Sequence, residues 1–427
     1  SSDGIVYYGG FSDALLNWNW SDAEARQYMI DVYKHWIQEY DIDGYRLDVY
    51  WGPHRKYGRE NFDLPLRQQL RALKSDILLL GETNGTGSGS EFHYADMGGG
   101  MDMGYDWILK YAIWNFPAPT SIHSRLYNGG FRPGPNSLFL RFLENQDEDR
   151  VAFRYNSIEK TLPVSAAIFT STGTPLLYQG QEVGMGYKMG GSKDDRARAI
   201  VNWNQEHAKV LAPHYQKLAH IRRQFPAFRR QFEDTNNDGR ITSLDKNVQQ
   251  RIVVPDYQIY AFVRPFMDQN GLVLLNFSAA TKQVRLPLHL NDWAEFSTDV
   301  TAGNTFILSD VYNDTHTLLF YENDTLATSL PPYGVHSYIL SDTEKRMELP
   351  TTTIEYVIPV DSMVKIDIFD INGRKVKSLT NSYKTAGQHS HLWDGRDESG
   401  APVASGIYLY TIHCGDFFTT RKMTLIR

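Results

Sequence analysis

Apolar residues recur at helical spacing through Met29, Ile30, Tyr33, Trp36, Ile37 and Tyr40, which predicts an amphipathic helix. Ser21-Asp22-Ala23-Glu24 opens it as a capping box, with Ser21 and Glu24 satisfying each other's backbone donors. A short strand follows, running from Gly44 to a carboxylate at Asp48. A second unit has the same form. Leu64 to Leu73 reads as a helix, and Ile77-Leu78-Leu79-Leu80 as a strand covered on both faces, ending in Gly81-Glu82-Thr83-Asn84. Further strands are predicted at Met101 to Tyr105, Ser137 to Leu143 and Thr174 to Tyr178, and helices over Trp107 to Trp114, Val164 to Phe169 and Glu206 to Phe225. Strands alternating with helices give a parallel α/β architecture. Five such units form only part of an eight-stranded barrel.

From Gln231 the period becomes alternating. Tyr257 to Val263, Leu272 to Phe277 and Gln283 to Leu286 read as antiparallel strands, and Leu330-Pro331-Pro332-Tyr333-Gly334-Val335 leads into another. This all-β domain ends near Ser341, and Asp342 to Thr353 reads as a polar linker. Beyond it Val364, Ile366 and Ile368 alternate with polar residues, Asn372-Gly373 supplies a tight turn, and Gly406 to Ile412 forms a strand. The pattern predicts a small immunoglobulin-like sandwich. The expected domains are residues 1–230, 231–341 and 342–427.

Composition narrows the function. A formal charge of −7 with no basic block argues against a nucleic-acid partner. No apolar run is long enough to span a bilayer as a helix. The lone cysteine, Cys414, excludes an intrachain disulfide framework and a cysteine-rich metal site. The 26 Tyr and 9 Trp offer flat surfaces suited to sugar rings, although most such residues belong to cores.

Three strands of the first domain end in acidic groups: Asp48, Glu82 and the Glu144/Asp147 pair. For Asp48 alone, a helix N-cap is an equal reading. In a barrel, however, strand ends converge on one face. A retaining glycosidase needs two carboxyl groups about 5 Å apart, one as nucleophile and one as acid. Neighbouring negative charge raises the pKa of the acid and keeps it protonated. Metal-binding carboxylates would give the same pattern.

Gly44-Tyr45-Arg46-Leu47-Asp48, Gly81-Glu82 and Phe142-Leu143-Glu144-Asn145-Gln146-Asp147 resemble, in order and spacing, the signature regions of the α-amylase superfamily, glycoside hydrolase family 13. Asp13-Ala14-Leu15-Leu16-Asn17 is similar to the region that precedes them, and Gly173 to Glu182 to the eighth-strand segment. The resemblance spans roughly residues 11–340 and implies the C-terminal part of a TIM (β/α)8 barrel followed by the all-β domain C. It makes Asp48 the nucleophile, Glu82 the general acid/base and Asp147 the transition-state stabiliser. Arg46 would hold the nucleophile ionised, and Asn145 and Arg150 are further substrate-binding candidates, with a capping or ion-paired role as the equal reading. The implied activity is retaining hydrolysis of α-glucosidic bonds in starch-like glucans or maltooligosaccharides. Transglycosylation and a non-catalytic carbohydrate-binding subunit are the alternatives.

The chain departs from the family pattern in three places. Gln146 stands where the family usually has histidine, and its amide can donate a hydrogen bond but cannot carry charge. Tyr50 and Trp51-Gly52 follow the nucleophile in place of the usual Lys-His pair, which offers aromatics for an acceptor sugar, with core packing as the equal reading. The first three barrel strands have no counterpart, so the expectation is an N-terminal polypeptide that completes the barrel, or a fragment of a longer chain.

Two further motifs stand apart. Asp234, Asn236, Asp238 and Arg240 alternate around Gly239, with Asp245 twelfth, as in a calcium loop; a polar turn between domains is the alternative. The C-terminal piece resembles the immunoglobulin-like domain of the flagellar hook-capping protein through Ile368-Phe369-Asp370, Asn372-Gly373-Arg374 and Trp393-Asp394-Gly395. Lys422-Met423-Thr424-Leu425 is similar to C-terminal export signals of secreted bacterial proteins, which implies an extracellular or cell-surface location.

Overall fold

The computed structural model describes residues 18–83, 100–126, 138–186, 198–231, 249–266, 270–287, 305–320, 325–341, 345, 352–401, 403, 406–415 and 417–425. The chain divides into two compact units, residues 1–212 with 221–345 and residues 213–220 with 346–427.

Helix α1 (Ala23–Tyr40) turns Ile30 and Ile37 into the core. Its cap is Asp22, whose carboxylate accepts from Ala25 N at 2.8 Å. The expected cap was Ser21; one residue on, a charged acceptor faces the positive end of the helix dipole. The helix ends at Asp41, whose φ of 49° reverses the chain into β1 (Gly44–Leu47). Gly44 is required there, because a Cβ would sit 2.5 Å from the Leu78 carbonyl oxygen.

Strands β1, β2 (Leu78–Gly81), β3 (Met103–Tyr105), β4 (Leu138–Phe142) and β5 (Thr174–Leu176) form one parallel sheet in sequence order. Helices α2 (Trp51–Gly58) and α3 (Leu64–Leu73) join β1 to β2 through a wide π-helical turn, Arg59–Asp63. Sequence periodicity predicted only the second of these helices. Pro53 in the first turn of α2 and Gly58 with φ +67° mark the limits of the first, and its apolar spacing is weak. Ile30, Ile37, Leu47, Tyr50, Phe62, Leu66, Leu70, Ile77 and Leu79 close into one core against β1 and β2. Arg67 and Arg71 of α3 both reach Asp102 Oδ1, at 2.6 and 2.8 Å, while Asp102 Oδ2 accepts from Leu79 N. This carboxylate therefore clamps a helix to the strand it covers.

The antiparallel part consists of β6 (Gln250–Ile252), β7 (Ile259–Arg264), β8 (Asn270–Asn276), β9 (Lys282–Pro287), β10 (Thr305–Asp310), β11 (Thr315–Phe320), β12 (Thr325–Leu330) and β13 (Val335–Ser341). Six of these strands form a sheet in the order β11-β10-β13-β8-β7-β6, and β12 pairs with β9. Leu272, Leu274, Val284, Leu286, Leu326 and Leu340 fill the space between them.

The smaller unit is a two-sheet sandwich. One sheet is β14 (Thr352–Ile358) with β17 (Gly387–Trp393). The other has the order β16 (Lys375–Lys384), β15 (Ser362–Asp370), β18 (Gly406–Cys414) and β19 (Phe417–Leu425). Trp393 is fully buried with its ring edge-on to Tyr408 at 5.0 Å. At the β15–β16 turn, Asp370 Oδ1 accepts from Asn372 N and Arg374 N around Gly373, whose φ is +79°.

Candidate active site

Residues two apart on a strand share a face, so Arg46 and Asp48 project together from the end of β1. The parallel register that pairs Leu47 with Gly81 brings Glu82 alongside them. The Arg46 guanidinium joins the three strand ends. It pairs with Asp48 Oδ1 and reaches Glu82 Oε1 at 3.2 Å, and its Nε donates to Oη of Tyr105, the last residue of β3, at 3.3 Å. Its charge also lies 5.7 Å from the Tyr105 ring centre.

Val49 has φ +50°, a left-handed conformation that is costly for a β-branched residue. The turn it makes presents Val49 N to Glu82 Oε2 at 2.7 Å. It also decides between the two readings of Tyr50. The Tyr50 side chain takes the core-packing one and is wholly buried, with its hydroxyl 2.8 Å from Asp63 Oδ1 and its ring beside Phe62. Gly81 makes room for that ring, since a Cβ there would lie 2.7 Å from Tyr50 Cδ1. Trp51 opens α2 and packs half-buried on the same core.

Asp48 and Glu82 sit in different environments. The Asp48 side chain is 72% exposed and that of Glu82 14%. Burial pushes the Glu82 carboxyl above the ordinary glutamate range; the Val49 N–H and Arg46 oppose the shift, and the negative charges of Asp48 and Asp147 add to it. The first and third acids, Asp48 after β1 and Asp147 after β4, are thus within electrostatic reach of Glu82.

After β4 the chain folds over Asn145, whose Oδ1 accepts from Asp147 N at 2.9 Å. Asp147 is held from two sides, by Gln146 Nε2 at 2.8 Å and Arg198 Nη2 at 2.9 Å. Arg198 was missed in the sequence reading; it lies 51 residues away in a charged loop, and no spacing links it to the acid. Asn145 is 1% exposed, so it shapes the turn that carries Asp147 and shows no face to a ligand.

Of its two readings, Arg150 takes the ion-paired one in the structure. It is completely buried, donates to Glu144 Oε1 at 2.7 Å and to the Gln179 carbonyl at 2.8 Å, and lies 4.3 Å over the Tyr178 ring. A guanidinium with no exposed surface cannot reach a sugar; this one braces the loops after β4 and β5. Burial raises the carboxyl pKa of its partner Glu144, against the lowering pull of Arg150. Asp234, Asn236, Asp238, Arg240 and Asp245 lie outside the described residues. Among the described residues no group of three or more His, Cys, Asp or Glu could hold a metal ion.

A parallel β/α sheet whose successive strand ends bring acids around one arginine defines a barrel-type catalytic domain. The chain belongs to the alpha amylase catalytic domain family, whose family model matches residues 3–219. The FlgD Ig-like domain model matches residues 351–414. Among curated relatives, the chain is 25% identical over 332 residues to a cyclomaltodextrinase of Geobacillus thermopakistaniensis, covering 75% of this chain and 48% of the relative. It is 24% identical over 238 residues to a maltogenic alpha-amylase of Bacillus acidopullulyticus, covering 51% and 36%. The chain therefore spans between about a third and a half of these relatives' length. Among solved structures, an alpha-amylase from Geobacillus thermoleovorans complexed with acarbose superposes with a TM-score of 0.60 at 22% identity, covering 77% of this chain and 67% of that one. A maltogenic alpha-amylase from Thermotoga neapolitana gives 0.58 at 20% identity, covering 78% and 69%. At these identities the superpositions speak for the fold: the five-stranded sheet is the C-terminal part of a TIM (β/α)8 barrel, followed by the all-β domain and the immunoglobulin-like sandwich.

Proposed function

We propose that the chain carries the acids of a retaining glycosidase acting on α-glucosidic bonds of linear or cyclic maltooligosaccharides. The observation that carries this reading is the division between two neighbouring carboxylates: an exposed Asp48 paired with Arg46, and a shielded Glu82 whose affinity for its proton is raised. In the proposed reaction Glu82 gives its proton to the glycosidic oxygen while Asp48 attacks the anomeric carbon, so the C–O bond to the leaving sugar breaks as the bond to Asp48 forms. Glu82, now ionised, takes a proton from water, which displaces Asp48 and returns the sugar with its original configuration. Arg46 pairs with Asp48 and holds it in place, and Asp147, aimed by Gln146 and Arg198, grips sugar hydroxyls. The names of the cyclomaltodextrinase and maltogenic relatives support the substrate class. Proton NMR of maltoheptaose digestion tests the reaction type: the first product signal is expected to be the α-anomer, and an initial β-anomer would overturn the retaining mechanism.

Calcium binding by Asp234, Asn236, Asp238, the Arg240 carbonyl and Asp245 belongs to the proposal on motif spacing alone. Calorimetric titration of chelator-stripped protein is expected to give a calcium isotherm that Asp238→Ala weakens at least tenfold; equal isotherms for the two proteins would remove the site. Export to the cell surface or medium likewise belongs to the proposal and rests on the C-terminal resemblance.

A further inference from the structure

The immunoglobulin-like unit contains a cavity of about 510 Å³ that none of the catalytic chemistry uses. It opens between the two sheets, with Tyr356 and Ile358 of β14 on one side and Tyr410, Ile412, Cys414 and Phe417 of β18 and β19 on the other. Its size is that of a ligand pocket, and apolar side chains share its walls with Glu355, Ser362, Thr419 and Arg421. The Tyr356 hydroxyl is buried nearby without a hydrogen-bond partner.

Two of the strands bordering the cavity, β14 and β19, are sheet edges. Among the described residues β14 pairs only with β17, and β19 only with β18. An edge strand leaves a row of backbone N–H and C=O groups open, and proteins usually blunt such rows with lysine, proline or bulges. β14 has none of these. It reads Thr-Thr-Ile-Glu-Tyr-Val-Ile, pairs with β17 without a register shift from Thr352 to Ile358, and carries one charge, Glu355. By contrast, β15 and β16 are interrupted by two register shifts, and β19 carries Arg421 and Lys422. Ile354 and Ile358 point inward and are buried, while Val357 on the other face is 74% exposed.

We infer that β14 is a docking edge for an extended peptide, which adds a strand to the β14–β17 sheet and places alternate apolar side chains in the cavity. The charge selects the occupant. If a second copy of this chain paired antiparallel about the middle of β14, Glu355 would face Glu355, and like charges directly opposite are destabilising. A foreign strand avoids this when it carries lysine or arginine opposite Glu355 and apolar residues on either side, opposite Ile354 and Tyr356. Main-chain hydrogen bonds would then supply affinity, and the cavity and the charge would supply selectivity.

Cys414, the only cysteine of the chain, lines the cavity and reports on its occupancy. The experiment measures the rate of Cys414 alkylation in the full chain with a capped peptide, Thr-Leu-Lys-Leu-Thr, as probe. The peptide is expected to slow alkylation severalfold, Glu355→Lys to abolish that protection, and the peptide with glutamate in place of lysine to restore it on the variant. Glu355 is exposed, so the variant should fold normally, and its unprotected alkylation rate checks this. Unchanged alkylation of the wild type, or protection indifferent to the charge exchange, would overturn the inference. So would protection by maltoheptaose in place of peptide, which marks a sugar site, or sedimentation as a dimer, which marks self-pairing.

Discussion

Asp48→Asn is expected to lower kcat on maltooligosaccharides by roughly 10⁴-fold or more while leaving the fold intact, the scale on which single nucleophilic groups act. The substitution keeps the shape of the side chain and an oxygen that can still accept from Arg46, so packing around β1 should not change. The side chain is 72% exposed, which removes burial as a source of lost stability. Loss of activity with an unchanged thermal midpoint therefore reads out chemistry alone. If Asp48 were merely a capping residue, the same change would leave turnover near wild type.

Glu82→Gln should produce two effects of opposite sign. Activity on oligosaccharides is expected to fall roughly 10²–10⁴-fold, the contribution of a positioned general acid. With a glycosyl fluoride, whose leaving group needs no proton, the first step should be almost untouched. Stability should rise. The folded-state pKa of Glu82 is raised, so its stabilising contribution is complete below the usual glutamate value and is lost as pH climbs through the raised one. Above the usual glutamate value the unfolded chain gains by ionising this carboxyl while the shielded folded site resists it, and a neutral amide removes that cost while its oxygen can still accept from Val49 N. Melting curves should therefore show the variant above the wild type at pH 7 and the two converging below about pH 4. In the same way, the wild-type pH profile should lose activity on its alkaline side above the ordinary glutamate range. A lower midpoint for Glu82→Gln at pH 7 would mean that the ion pair with Arg46 outweighs burial. Such a gain in stability at the expense of activity is common where a site holds a group under strain.

How much of this was legible in the sequence depends on the range of the interaction. The order of helices and strands, and the acids at their ends, follow from period and local motif, so Asp48, Glu82 and the Glu144/Asp147 pair could be named from the pattern, and the family resemblance singled out Asp147 within the pair. Tyr50 could not be placed, because its direction is set by the left-handed turn at Val49, and nothing in Asp48-Val49-Tyr50 announces a positive φ. Arg150 was a substrate-binding candidate by resemblance, with an ion-paired role as the equal reading, and the sequence could not decide between them. Its burial comes from Glu144, Gln179 and Tyr178, two of which belong to the next β/α unit. Arg198 illustrates the same limit, as its contact with Asp147 exists only once the chain has closed. Interactions that cross from one strand end to another were invisible until the sheet put them side by side.

The central claim is that Asp48 bonds to the sugar while Glu82 handles the proton. The most direct measurement is intact-protein and peptide mass spectrometry of the Glu82→Gln variant after brief incubation with α-maltosyl fluoride. The account predicts a mass gain of one maltosyl unit, carried by the peptide that contains Asp48 and absent from the Asp48→Asn, Glu82→Gln double variant. Consumption of the fluoride with no adduct, or an adduct on any other residue, would contradict it.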